Sequence, residues 1–405
     1  MESRFARRMD GLRASEIREL LKVTERPEVI SLAGGLPAAE LFPVEELKAV
    51  ALRVLEEHGR SAMQYSTTEG HLPLRAWIAR RMTERLGATT NVDDVLITSG
   101  SQQAIDLTGK LFLDEGDVVL CESPTYLGAL NAFRAYQPRF MEVPTDDEGM
   151  IVSELERRLA DVRRVKLVYV VPDFQNPTGR TWSLERRRRF MEVVRRHGVT
   201  VVEDCPYGEV RFEGMPIPPL KSMDAAGQVV FLGTFSKVFC PGFRIGWAAA
   251  SHPLVEKYVL AKQGSDLHTS TISQMEIATY LSMFDLDANL RRIREVYRAR
   301  RDAMIRALEQ ELPASARFTR PQGGLFLWVE LPPNVNAREL LERCLERGVA
   351  FVPGGSFFPD GGHENTVRLN YSNMPEERIA EGVRRLGAAV REMLAQSSAG
   401  ARRAV

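Results

Sequence analysis

The chain has 405 residues, 44% of them hydrophobic, and its 54 basic and 54 acidic residues give a formal net charge of zero. Zero net charge argues against nucleic acid as a main partner, and no apolar run approaches the roughly 20 residues of a membrane span. A single hydrophobic core rarely serves more than about 250–300 residues, so a chain of this length is expected to form two domains. The 4 cysteines are scattered without metal-ligand spacing, and no hydrophobic signal core precedes them, which together predict a cytoplasmic protein.

The N-terminal region is predicted to form an arm that packs on the mouth of an active site. Residues 12–21 have apolar side chains at helical spacing, with Ile17, Leu20 and Leu21 facing inward. Arg18 lies on the same helix. The pattern alone is equally typical of a solvated surface arginine at this position.

Apolar runs alternate with helical patterns through the middle of the chain. They lie near residues 95, 118, 166, 199, 229 and 245. This alternation predicts an α/β fold, in which helices cover both faces of a mostly parallel sheet. A long helix over residues 290–308 leads into a smaller α/β C-terminal domain. The predicted units are an arm over 1–30, a large domain over 31–289 and a small domain over 290–405.

The run at residues 95–98 ends in a glycine turn. Residues 99–103 have the sequence Ser-Gly-Ser-Gln-Gln and precede a helical pattern. Such a turn presents free backbone N–H groups to an anion. Ser101 and Gln102 are therefore candidate phosphate ligands, although an ordinary serine-capped turn has the same sequence.

Two later strands are also followed by polar side chains. Asn176 precedes a proline, which holds its backbone extended and gives its amide a fixed direction. Asp204 ends the run that begins at residue 199, where open α/β sheets bind their ligands. Glu203 should point to the opposite side of that strand. A Pro/Gly turn and a loop-capping aspartate are the structural alternatives.

The run at 229–232 is followed by a lysine with hydroxyl groups before it and an arginine after it. Lys237 would form a Schiff base with pyridoxal phosphate, and Thr234, Ser236 and Arg244 would share the phosphate. An exposed lysine in a loop is the alternative for the segment taken alone.

The preceding candidates complete this cofactor site. Asp204 would keep the pyridine nitrogen protonated, while Asn176 and Tyr207 would contact the phenolic oxygen of the ring.

These motifs together resemble the fold-type-I pyridoxal phosphate aminotransferases of class I/II. The matching segments are Gly-Ser-Gln-Gln at 100–103, Asn-Pro-Thr-Gly at 176–179, Asp204 with Tyr207, Ser236 and Lys237 with Arg244, and Arg-Leu-Asn-Tyr at 368–371. Segments 32–37 and 64–66 are similar to the branch of 2-aminoadipate, kynurenine and multi-substrate aromatic aminotransferases. The resemblance covers residues from about 13 to about 386.

The resemblance implies roles for further residues. Tyr126 resembles the aromatic residue that stacks on the pyridine ring. Tyr65 resembles a tyrosine that the second subunit contributes to the phosphate, which implies a homodimer with shared active sites. Arg368 resembles the arginine that binds the substrate α-carboxylate, and Gly35 and Asn176 lie beside the substrate in this family.

The implied activity is transfer of an amino group from an L-amino acid to a 2-oxo acid such as 2-oxoglutarate, with ping-pong kinetics. The implied donors are 2-aminoadipate, glutamate, and aromatic or branched-chain amino acids. Arg18 resembles an arginine that binds the distal carboxylate of acidic donors. Two departures from the related pattern are Glu16 beside Arg18, and Cys205-Pro206 in place of a second acid after Asp204.

Two alternatives use the same residues. A β-lyase, racemase or decarboxylase also begins with a Cα carbanion, so it would need Lys237, Asp204 and Arg368 as well. A non-catalytic effector-sensing domain of a transcription regulator would carry a basic helix-turn-helix in front, whereas here the pattern is expected to start near the N-terminus.

Overall fold

The computed structural model of the protein describes residues 5–9, 11, 26 and 28–403, with side chains through residue 397. Most of the predicted arm, including Arg18, lies outside these residues. No helix in the described part of the chain is both long and apolar enough to cross a bilayer.

A large central sheet has the strand order β2-β9-β8-β7-β6-β3-β4-β5. Its strands are β2 (Val95–Thr98), β3 (Val118–Ser123), β4 (Arg139–Asp146), β5 (Gly149–Met150), β6 (Val165–Val170), β7 (Thr200–Asp204), β8 (Val229–Thr234) and β9 (Gly246–Ala249). The neighbours from β8 through β4 pair in parallel, whereas β9 is antiparallel to both β2 and β8. The predicted mostly parallel sheet is therefore confirmed.

Each apolar run that the sequence predicts is a strand of this sheet. The residues of β7 and β8 are almost entirely buried, because helices cover both faces. Strand β4 was not predicted, and its residues are mostly exposed or half-buried and include Pro144. Its position near the sheet edge explains the mixed composition, since edge strands tolerate proline and charge.

Helices surround the sheet and continue into the C-terminal region. They are α1 (Val44–Ala62), α2 (Leu72–Leu86), α3 (Ser101–Phe112), α4 (Leu127–Arg134), α5 (Val152–Asp161), α6 (Leu184–His197), α7 (His252–Gln263), α8 (Thr271–Met283), α9 (Leu286–Glu311), α10 (Ala337–Glu346) and α11 (Glu376–Arg403). The predicted long helix corresponds to α9. Asp285 caps its N-terminus, since the Asp285 side chain accepts a hydrogen bond from the backbone N–H of Asp287.

The smaller C-terminal region contains an antiparallel sheet in the order β10-β11-β14-β13. Its strands are β10 (Arg317–Phe318), β11 (Phe326–Glu330), β13 (Val352–Pro353) and β14 (Thr366–Asn370). A short strand β1 (Ile30–Ser31) pairs in parallel with β12 (Val349–Ala350), so the chain just after the arm is joined to this region. The domain boundaries at 30/31 and 289/290 stay predictions.

Candidate active site

A cavity of about 790 Å³ lies where β6, β7 and β8 end, at the carboxyl edge of the parallel strands. Every predicted site residue in the described part of the chain except Tyr65 lines this cavity. These lining residues are Gly35, Ser101, Gln102, Tyr126, Asn176, Asp204, Tyr207, Thr234, Ser236, Lys237, Arg244 and Arg368. The fold thus brings together side chains that are up to several hundred residues apart in the sequence.

Tyr65 lies apart from this cavity. Its side chain is 79% exposed, and its ring packs edge-to-face on His268 with 5.8 Å between the ring centroids. The site of one chain therefore does not contain Tyr65, which the sequence analysis assigned to a second subunit. That assignment stays a prediction, and so does the role of Arg18.

Lys237 follows β8 and points into the cavity. Its Nζ donates a hydrogen bond to the carbonyl oxygen of Gly35 at 2.7 Å. Burial, together with the positive charges of Arg244 and Arg368, lowers the pKa of Lys237 to about 8. A lysine with this pKa has a substantial neutral fraction near pH 7 to 8, so its amine is available as a nucleophile and base.

Hydroxyl groups and a guanidinium form a cradle at one end of the cavity. Thr234 Oγ1 donates to Ser236 Oγ at 3.0 Å, and Arg244 Nη1 lies 3.5 Å from the same Ser236 oxygen. Gly100 has a φ of +73°, and a Cβ there would lie 2.6 Å from Arg244 Nη2. Only glycine therefore lets the start of α3, at Ser101, approach the guanidinium, and this arrangement suits an anion such as phosphate.

The side chain of Gln102 is engaged outside this cradle. Its Nε2 donates to the carbonyl oxygen of Gly128 at 2.9 Å, and the Tyr126 hydroxyl donates to its Oε1 at 3.4 Å. Gln102 thus connects α3 to the start of α4 and holds the ring of Tyr126 at the cavity wall.

Asp204 presents one oxygen without a partner. The Tyr169 hydroxyl donates to Asp204 Oδ2 at 2.6 Å, whereas Oδ1 has no hydrogen-bond partner among the described residues although it is buried. Burial raises the pKa of Asp204 to about 6, and the bond from Tyr169 opposes this rise. A buried acceptor without a donor is costly, so a cationic N–H group of a ligand fits here.

Glu203 is a structural residue, as the strand alternation predicts. Its two carboxylate oxygens accept from the backbone N–H groups of Leu220 and Lys221 at 2.7 and 2.8 Å. The side chain therefore faces away from the cavity that Asp204 enters.

Arg368 is 2% exposed and lies on β14, a strand of the smaller C-terminal sheet. Its Nη1 donates to Asn176 Oδ1 at 2.8 Å and its Nη2 to the carbonyl oxygen of Ala33 at 2.7 Å. Among the described residues, no partner is found for its Nε. Burial lowers the pKa of Arg368 to about 10, so the group stays charged at neutral pH and suits a carboxylate ligand.

Three residues at the site were missed by the sequence analysis. Phe326 and Phe357 lie against the Arg368 guanidinium, with ring centroids 4.2 and 5.1 Å from its central carbon, and Tyr169 binds Asp204. Tyr169 is the hydroxyl-bearing residue of an apolar strand adjacent to that of Asp204, which is a signal that the sequence contains. The aromatic contacts of Arg368 have no local signal.

The site contains the groups that pyridoxal phosphate requires. Lys237 provides an amine, the cradle of Thr234, Ser236 and Arg244 suits the phosphate, and the free oxygen of Asp204 suits the ring nitrogen.

Comparisons with known proteins agree with this chemistry. A family model for aminotransferase class I and II matches residues 27–386. Aromatic-amino-acid aminotransferase 1 of Thermococcus litoralis is 46% identical over 395 residues, covering 96% of this chain and 95% of the relative. The 2-aminoadipate transaminase of Thermus thermophilus is 48% identical over 394 residues, covering 96% and 97%.

A solved structure extends the similarity to the fold. Kynurenine aminotransferase of Pyrococcus horikoshii, crystallised in complex with PMP, superposes with a TM-score of 0.93 at 43% identity, covering 96% of this chain and 98% of that chain. The fold-type-I architecture, the pyridoxal phosphate cofactor and the predicted branch are thereby confirmed. The chain belongs to the class I and II aminotransferases, and it is a pyridoxal phosphate-dependent transaminase.

Proposed function

We propose that the protein transfers the amino group of 2-aminoadipate, glutamate, or an aromatic or branched-chain L-amino acid to 2-oxoglutarate. The observation that carries this proposal is that two groups line the same cavity. One is the Lys237 amine, whose lowered pKa leaves part of it neutral near pH 7 to 8, and the other is the buried guanidinium of Arg368, whose Nε–H has no partner among the described residues. The names of the relatives, which include aromatic and 2-aminoadipate aminotransferases, support these donors.

The cofactor would be held by residues of the cavity wall. Lys237 would bond its aldehyde carbon through Nζ, and Asp204 would pair with its ring nitrogen. The phosphate would be bound by the backbone N–H groups of Ser101 and Gln102 and by Thr234, Ser236 and Arg244. Asn176 and Tyr207 would contact the ring oxygen, and Tyr126 the ring face. When bound, the cofactor supplies an electron sink for the bond that is broken at the substrate Cα.

The chain's own residues would bind and orient the substrate and carry its proton. Arg368 would hold the α-carboxylate through parallel hydrogen bonds, with the Gly35 segment beside the substrate, and so fix which Cα bond faces Lys237. The Lys237 amine, freed when the substrate amine replaces it at the aldehyde carbon, would accept the Cα proton and deliver it to that carbon within the same half-reaction. In the second half-reaction it would carry a proton in the reverse direction, back to Cα. Asp204 would remain ionised toward a cationic partner, because an adjacent positive charge offsets the effect of burial on its pKa.

A homodimer in the cytoplasm completes the proposal. Tyr65 is exposed in a segment where Met63 and Leu72 are exposed as well, which supports burial of this segment against a second copy of the chain. Light scattering of the purified protein would measure the mass of the assembly.

The free cysteines among the described residues are consistent with a reducing compartment.

The pH dependence of cofactor uptake tests the state of Lys237. Only the neutral amine attacks an aldehyde, so with a pKa of about 8 the rate of uptake by the cofactor-free protein should rise up to about pH 8 and then level off. Stopped-flow absorbance over pH 6.5 to 10 measures this rate. A rate that keeps rising to above pH 10, as for an ordinary lysine, would contradict the lowered pKa.

A donor screen with an arginine variant tests the substrate range. Amino donors are assayed with 2-oxoglutarate, and glutamate formation in a coupled assay separates transfer from β-lyase, racemase or decarboxylase activity. Arg18→Ala is expected to lower kcat/KM for 2-aminoadipate by about tenfold and for phenylalanine much less, because only the acidic donor has a distal carboxylate.

The matched control is Arg26→Ala, which removes an exposed arginine from the neighbouring segment. Equal losses on acidic and aromatic donors would remove Arg18 from the substrate site while leaving the transaminase assignment in place.

A further inference from the structure

Three polar side chains outside the cavity hold the turn that precedes α3. We call Gln103, Lys262 and Asp266 the Lys262 network. Lys262 lies near the end of α7, and Asp266 lies in the loop that follows it. Neither residue lines the cavity, and no step of the proposed reaction uses either one.

The network is built around a buried ammonium group. The Lys262 side chain is 0% exposed, and its Nζ donates to Asp266 Oδ1 at 2.6 Å, to Asp266 Oδ2 at 2.8 Å and to Gln103 Oε1 at 2.9 Å. These bonds use all three donors of the ammonium group. Burial of a charge is costly unless it is paired in this way, so the network has a defined geometry.

Gln103 transmits this geometry to the backbone. Its Oε1 also accepts from the backbone N–H of Ser99 at 2.8 Å, and its Nε2 donates to Asp266 Oδ2 at 2.7 Å. Ser99 directly precedes Gly100, whose Cα lies against the Arg244 guanidinium. The position of the Lys262 network therefore fixes the backbone that forms one wall of the anion cradle.

We propose that Lys262 and Asp266 are positioning residues for the cofactor phosphate. They act through Gln103, by holding residues 99–101 at the distance from Arg244 that a phosphate requires. The inference rests on the proposed cradle, and it explains why a buried lysine and its carboxylate lie behind a turn that contacts the ligand. Preorganised backbone donors bind an anion more tightly because they need not be ordered at the moment of binding.

The test compares two ligands that differ only in the phosphate. Dissociation constants of pyridoxal phosphate and of pyridoxal are measured on the cofactor-free chain by quenching of tryptophan fluorescence. In Lys262→Met we expect the dissociation constant of pyridoxal phosphate to rise about tenfold, with that of pyridoxal nearly unchanged. Lys257→Met, at an exposed position of the same helix, should leave both constants unchanged.

A second variant separates positioning from a simple charge effect and covers the case in which Lys262→Met fails to fold. Asp266 is 29% exposed, and Asp266→Asn keeps its shape but removes the carboxylate that holds Lys262. Positioning predicts weaker phosphate-dependent binding in this variant too, whereas a charge effect alone would strengthen it. Stronger binding in Asp266→Asn, or parallel losses for both ligands in either variant, would overturn the inference.

The ratio of the two dissociation constants in the wild type separates a failure of this inference from a failure of the proposed function. A wild type that prefers pyridoxal phosphate over pyridoxal, with variants that keep the full preference, refutes only the role of the Lys262 network. A wild type without any preference refutes the phosphate cradle itself and the inference with it.

Discussion

Lys237→Ala is expected to lower kcat/KM for every amino donor by about 10⁴-fold or more, because one amine would be lost as both the covalent anchor and the proton carrier. The pKa of Lys237, about 8, and its half-buried place on the cavity wall support these two tasks. Steady-state assays with 2-oxoglutarate measure the loss. Borohydride reduction followed by peptide mass spectrometry should find the cofactor on residue 237 in the wild type and on no lysine in the variant.

The matched control is Lys257→Ala, which removes an exposed lysine of α7 and should keep full activity. Borohydride labelling of another lysine in the wild type would overturn the assignment of the site. Residual activity above about 1% in Lys237→Ala would show that another group carries the proton.

Arg368→Lys is expected to lower kcat/KM for all amino acids by about 100-fold, on the order of 3 kcal/mol of transition-state binding. Lysine keeps the positive charge but lacks the planar guanidinium with its several N–H donors. It would therefore not donate to Asn176 Oδ1, the Ala33 carbonyl oxygen and a substrate carboxylate at the same time. Its ammonium group would also lose the aromatic contacts with Phe326 and Phe357 that pack the guanidinium. Initial rates over a range of donor concentrations give the effect.

The same substitution at an exposed position of β10, Arg317→Lys, controls for surface effects and should leave kcat/KM unchanged. Cofactor affinity should remain near the wild-type value in Arg368→Lys, since the cradle lies on other elements. A loss of cofactor affinity that accounts for the whole loss of activity would refute the assignment of Arg368 to the substrate carboxylate.

The central strands were predictable because burial on both faces requires a continuous apolar run. Residues 95–98, 200–204 and 229–234 have no other stable place in a chain of this composition. The missed strand β4 combines charged residues with Pro144, and neither its pattern nor its propensity distinguishes it from a loop. Its place in the sheet follows from pairing with β3, which no local pattern records.

In the site too, residues that follow a recognisable strand could be predicted, whereas residues that act through tertiary contacts could not. Lys237 and Asp204 each follow a recognisable strand, so their arrival at one edge of the sheet follows from the α/β architecture. Tyr169 and Phe326 act through contacts with residues 35 and 42 positions later in the chain. Gln103 bonds to residues 159 and 163 positions later, and only the folded chain brings these partners together.

The charges that line the cavity have a practical consequence for work with the cofactor-free protein. The cavity is lined by three basic side chains, Lys237, Arg244 and Arg368, and by the single carboxylate of Asp204 that partly offsets their charge. Its interior therefore attracts small inorganic anions. Sulfate or phosphate from a purification buffer would therefore compete with reconstitution and raise the melting temperature by mass action. Titrations in chloride at fixed ionic strength avoid this competition, and a shift of the melting curve with added sulfate would report directly on the cradle.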